Sequence, residues 1–339
     1  MSYHARTVQD GTLSYRTIRS FLCFSILTIF SLLPVELQNV WAGAGMDPSP
    51  KQHIASESAT IPPRDGQVIY RHNEGGINHL YIVGTSHRDT LTRSNGRKTA
   101  QVQSEVYRIG EWLIDNKGIE LILPEGYFMT TVKEGETRHG INYNTPQGGL
   151  KKVSLNGATL EEKLYTDIYT NAERLLMESH HLIIRQVEDE GLYNDVVAKM
   201  GLLGKNGNTF DFIYEKLELD YLQERRTAAI LQNIPDIIDH QIRGGHIRHR
   251  NAMLTIGVSH LSQIIACLKQ KQLVVRSPAF TPFKDYVSEV NLVKEGFDIT
   301  IIIPRTIADD DDLLSLTKLA HYAGRLPETD YTTGLKLNR

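Results

Sequence analysis

Three short stretches carry side chains suited to chemistry at the ends of apolar segments. Gly84-Thr85-Ser86-His87 follows the apolar run 80–83, and Gly257-Val258-Ser259-His260 follows the apolar run 252–256. Between them in the chain, residues 119–123 end at Pro124-Glu125-Gly126. Two imidazoles and a carboxylate form a common ligand set for a catalytic divalent metal with open positions. The same trio works without metal if Glu125 orients a histidine that acts as general base. A lone histidine at a strand end is more often bonded to backbone. Here the same G-x-x-H ending occurs twice, after two strong apolar runs with an acidic ending between them, and this favours a site made of His87, Glu125 and His260.

Other polar groups fit less well. Glu224-Arg225, on a helical stretch, would place a guanidinium at the mouth to hold a substrate carboxylate or an oxyanion; an exposed helix pair is the plain alternative. Thr85, Ser86 and Ser259 neighbour the histidines, but adjacent residues on an extended strand face opposite ways, so they read as structural. His240, His246 and His249 lie among Arg243, Arg248 and Arg250 next to Gly244-Gly245 and read as a solvated basic loop. His180-His181 has no evident partner.

The elements that must position these groups follow from periodicity. Residues 68–70, a turn at 73–76 and residues 80–83 suggest a hairpin. Helical spacing runs from Lys98 to Lys117 and stops at Gly118, ahead of the strand at 119–123. Strand, helix, strand in that order implies a crossover with parallel strands. Residues 127–157 read as a long Gly-rich polar loop over the site, and much of 158–240 as helical. A strand over 252–256, a helix over 261–270, a strand over 297–303 and a helix opened by Asp309–Asp312 complete the pattern. The expected fold is α/β: a central mixed β-sheet flanked by helices, with a helical insertion at 158–240 forming a cap.

With 339 residues, 40% hydrophobic and 23% charged, the chain can bury a sizeable core. The N-terminus has a separate logic. Arg6, Arg16 and Arg19 precede an apolar run over 21–35, and Ala42-Gly43-Ala44 follows, which is the layout of a secretory signal peptide over 1–44. The run is short and is interrupted by Ser25, Ser31 and Pro34, whereas a spanning helix needs about 20 apolar residues; an N-terminal membrane anchor is the alternative. Residues 45–66, rich in Pro and Ser, read as a flexible linker. A domain over 67–325 and a tail over 326–339 follow. A net charge of −3 offers nucleic acid no basic face. Of two cysteines, Cys23 lies in the leader, so Cys267 has no intramolecular partner after cleavage and reads as a small buried hydrophobe.

The ordered set of motifs resembles the TraB/Tiki (GumN-like) superfamily, related to erythromycin-esterase-like and ChaN-like proteins. The resemblance rests on Ile69-Tyr70-Arg71-His72 leading to Gly84-Thr85-Ser86-His87, on Glu125, on Glu224-Arg225, and on Gly257-Val258-Ser259-His260-Leu261, spread over about 69–304. It implies an α/β fold and, in the Tiki branch, a metal-dependent membrane-associated protease using manganese or cobalt. The expectation is an exported, periplasmic or secreted hydrolase of peptides or small molecules. Its centre holds manganese, cobalt or zinc on His87, Glu125 and His260, and Arg225 steadies negative charge. A ligand-binding protein for haem or a peptide, or a relative that kept only the fold, are the alternatives.

Overall fold

The computed structural model describes residues 60–86, 96–128, 157–166, 171–180, 182–203, 209–279 and 281–325. The expected leader, residues 129–156 and the tail beyond 325 lie outside them, as does His87 itself.

The core is a six-stranded mixed sheet in the order β1-β8-β2-β5-β3-β4. Its strands are β1 (Gly66–His72), β2 (Asn78–Thr85), β3 (Leu121–Pro124), β4 (Ile183–Ile184), β5 (Asn251–Gly257) and β8 (Phe297–Pro304). β1 is antiparallel to β8, and every other pairing is parallel. A parallel sheet needs cover on both faces, so its strands are continuously apolar. β8 shows this: Phe297, Ile299, Ile301, Ile302 and Ile303 are wholly buried.

That requirement overturns the expected hairpin. β1 and β2 do not pair; β8 lies between them. A strand as apolar as β8, with five of its eight residues Phe or Ile, gains most from a place between two neighbours. The more polar β1, with a register shift between Val68 and Tyr70, takes the edge instead. The linker boundary also shifts. Ile61 is buried in the core, and the buried Asp65 accepts from Arg108 Nε at 2.7 Å, so residues 60–66 belong to the fold.

Helix α1 (Arg97–Lys117) joins β2 to β3 and ends as expected at Gly118, whose φ of +64° suits a residue without Cβ. The helical stretch expected over 158–240 contains α2 (Gly157–Thr166), α3 (Ala172–His180), α4 (Glu190–Leu202) and α5 (Thr209–Arg243). It also contributes β4 to the sheet, a two-residue strand too short to leave a periodic signal. After β5, a 3₁₀ turn (Val258–His260) leads into α6 (Leu261–Gln270). A two-stranded hairpin, β6 (Gln272–Val275) and β7 (Tyr286–Glu289), was not foreseen. It docks on α5, where Tyr221 stacks on Phe283 at 4.6 Å and donates its hydroxyl to the Lys284 carbonyl at 2.8 Å. α7 (Asn291–Lys294) precedes β8; α8 (Arg305–Ala308) and α9 (Asp311–Leu316) follow it, with Asp310 capping α9 through the Leu313 N–H.

The parallel strands β2, β5 and β3 are adjacent, with β5 in the middle. They carry, in that order, the three motifs singled out in the sequence. Their carboxyl ends are level: Thr85 pairs with Gly257, and Pro124 with Thr255. The first two motifs also touch. A Cβ on Gly84 would come within 2.8 Å of Leu261 Cδ1, so a larger residue there would push aside the Leu261 side chain at the start of α6.

Candidate functional site

Glu125 extends β3 by one rung, donating its N–H to the Thr255 carbonyl at 2.9 Å. The chain then turns at Gly126, where φ is +77°. This turn leaves the Glu125 side chain pointing across the end of β5. Its Oε2 accepts the Gly257 N–H at 2.5 Å, and its Oε1 lies 2.8 Å from Arg226 Nη2 and 3.4 Å from His260 Nε2.

Arg226 comes from the middle of α5 and is held by two carboxylates. Its Nη2 and Nε donate to Glu188 Oε1 and Oε2 at 2.6 and 2.5 Å. Glu188, in the segment between β4 and α4, also accepts the Gly126 N–H at 2.5 Å. The guanidinium lies 5.3 Å from the ring centroid of Tyr193, which packs against Phe128. Side-chain exposure is 1% for Glu125 and Arg226 and 0% for Glu188. Burial by itself disfavours the charged guanidinium, but the two carboxylates outweigh it and hold Arg226 above its ordinary pKa. Attraction between charges is strong where water is excluded, and so is the cost of leaving one unpaired.

His260 closes the cluster from the 3₁₀ turn, 7% exposed at its side chain. Its Nδ1 is 2.7 Å from the hydroxyl of the buried Thr227, one residue beyond Arg226 on α5. The end of β2 is tied down separately. Gln103 donates to Thr85 Oγ1 at 3.0 Å and to the Ser86 carbonyl at 3.3 Å, and accepts the Ala172 N–H at 2.9 Å. Along the same rim, beside the end of β8, an open cleft of about 500 Å³ is lined by Lys98, Gln101, Arg305, Thr306 and the Asp309–Asp312 run. None of the cluster's residues lines it.

Of the residues singled out in the sequence, Glu125 and His260 are brought together, and His87 lies outside the described residues. The Glu224-Arg225 assignment is corrected by one position. Arg225 faces the β6–β7 hairpin, its guanidinium 3.6 Å from the Tyr286 ring, and Glu224 is exposed. Helix geometry decides this, because successive residues are about 100° apart. Arg226 shares a face with Leu222, Ile230 and Ile234, all buried. An arginine at i+4 from one core residue and i−4 from another was the available signal. Glu188 left none, since it precedes the α4 N-cap Asp189 in an acidic run that resembles ordinary cap charge. The histidines of residues 240–249 adjoin the amino end of β5, on the opposite rim. Ser259 is exposed on the turn rather than on an extended strand.

Among the described residues, no group of three or more His, Cys, Asp or Glu side chains could hold a metal ion. Two of the three expected donors nevertheless sit as a ligand pair would. Nε2 and Oε1 are 3.4 Å apart, against roughly 3.3 Å for tetrahedral ligands bonded at about 2.0–2.1 Å. The other His260 nitrogen meets a protein oxygen, as is usual for metal-bound imidazole. These two donors make one His–Glu pair at ligand spacing; the third expected donor, His87, lies outside the described residues. No described helix is long and apolar enough to cross a membrane. Compared with protein-family models, curated proteins and solved structures, the chain matches none.

Proposed function

We propose that the protein is an exported hydrolase, acting on peptides or small molecules, whose reaction centre is the cluster at the ends of β3 and β5. Glu125, His260 and His87 would hold a divalent cation such as manganese, cobalt or zinc. Such an ion, when bound, acidifies its water and polarises a scissile carbonyl. Arg226, itself held by Glu188, fixes the Glu125 carboxylate in direction, while the Gly257 N–H holds its second oxygen. Arg226 is a positioning residue here, distinct from the oxyanion-holding role first given to Arg225. The TraB/Tiki resemblance agrees with this reading. The observation that carries it is the 3.4 Å approach of His260 Nε2 to a buried Glu125 oxygen at the carboxyl edge of the sheet, where open α/β folds bind ligands.

A second reading, a binding protein for haem or a peptide, is favoured by the near-complete burial of the Glu125–Arg226–Glu188 pairs, which suits a fixed frame better than exchange with water. Elemental analysis of the purified full-length protein separates the two. The hydrolase reading expects about one equivalent of manganese, cobalt or zinc, lost in both His87→Ala and His260→Ala, with metal-stimulated cleavage of peptide or ester substrates. Metal content unchanged in both variants, or a haem Soret band with no metal uptake, would sink it.

A further inference from the structure

We infer that Thr227 is a positioning residue that fixes His260 as its Nδ1–H tautomer and thereby turns Nε2, unprotonated, toward Glu125. The tautomer follows from counting protons. A threonine hydroxyl has a single proton. Thr227 Oγ1 lies 3.0 Å from the Gln223 carbonyl, four residues back on α5, which can only accept. That bond takes the proton, so the 2.7 Å contact with His260 Nδ1 needs its proton from the ring. On the other side of the imidazole, Nε2 is 3.4 Å from Glu125 Oε1, beyond the usual 2.7–3.2 Å range for an N–H···O bond. The short contact therefore identifies the protonated nitrogen and the long one the free lone pair. Thr227 has no exposed surface, so water does not compete for its hydroxyl.

The consequence rests on the proposed hydrolase site: Nε2 is the nitrogen available to a cation or a reacting proton, and α5 decides this from outside the three motifs. Arg226 and Thr227 are consecutive, so one turn of α5 sets both the direction of the Glu125 carboxylate and the tautomer of His260. The sequence held no sign of this, since a threonine inside an amphipathic helix is unremarkable.

The test is ¹⁵N–¹H correlation spectroscopy of the histidine rings in the full-length protein, with His260 identified by the signal missing in His260→Gln. The expected wild-type pattern, recorded where the ring is neutral, is a protonated Nδ1 and an unprotonated Nε2. Thr227→Ser should keep that pattern. Thr227→Val should shift the ring toward Nε2–H, now free to donate to Glu125, and weaken zinc or cobalt binding by about 10–100-fold. A wild-type Nε2–H tautomer, or no change in Thr227→Val with the fold intact, overturns the inference. If the wild type binds no metal but the tautomer behaves as expected, the role of Thr227 stands and the metal reading alone fails.

Discussion

The two rims of the sheet use the same residue types under opposite conditions. At the carboxyl rim, Glu125, Glu188, Arg226 and His260 are packed with side-chain exposures of 7% or less. At the amino rim, Arg248 pairs with Glu120 at 2.7 Å while 81% exposed, and Arg250 reaches Asp239 and Glu295 at 2.7 and 2.6 Å. Distances at the two rims are alike, so geometry does not separate them. Solvent does. Water screens the amino-rim pairs to a small net worth, whereas the carboxyl-rim pairs are costly to break because each partner would be left charged in a dry environment. A histidine cluster that looks rich in sequence, at 240–249, thus sits among weak pairs, and a sparse set of single residues makes the strong one.

Removing one member from each rim tests this directly. Arg226→Met should cost about 3–5 kcal/mol in urea unfolding, since Glu125 and Glu188 would both lose their counter-charge. Adding Glu188→Gln to that variant should recover part of the loss; no recovery would mean that shape rather than charge dominates. A change of opposite sign is expected one rung away. Thr255 has its hydroxyl buried without a hydrogen-bond partner. Thr255→Val should therefore stabilise the fold by about 1 kcal/mol, and a loss of stability would show an acceptor or a water at that hydroxyl. The weakest effect belongs to the amino rim: Arg248→Ala should change stability by less than about 1 kcal/mol and only at low salt. A loss comparable to that of Arg226→Met would erase the contrast.

Ionisation offers a separate check on burial beside the carboxyl rim. Cys267, two turns into α6, is buried, and desolvation pushes its thiol up to about 11. At pH 8 Cys267 in the folded protein should resist iodoacetamide, since the thiolate is the reactive form, and its labelling, read by peptide mass, should track unfolding. Raising the pH toward 11 should restore reactivity if the fold survives. Prompt labelling of Cys267 in the folded chain at pH 8 would contradict the packing of α6 on the sheet.

Much of the architecture could be read in advance because it depended on local pattern. The runs at 80–83, 252–256 and 297–303 had to be interior strands, and α1 and α6 ended where glycine or polarity stopped the helical period. Glu125 and His260 were legible for the same reason, as polar residues at the ends of apolar runs. The β6–β7 hairpin and β4 were missed because neither has enough residues for a period to show.

Sequence alone determined the strands, the main helices and the positions where an imidazole and a carboxylate would meet the rim of a sheet, because these follow from continuous apolar runs and helical spacing among neighbouring residues. Tertiary structure decided that β8 separates β1 from β2, that Arg226 rather than Arg225 faces Glu125, and that Glu188 and Thr227 complete the cluster. Those outcomes depend on how a helix is rotated against a sheet. A rotation of one residue, about 100°, exchanges a buried guanidinium for an exposed one, and only packing across the whole core fixes that angle.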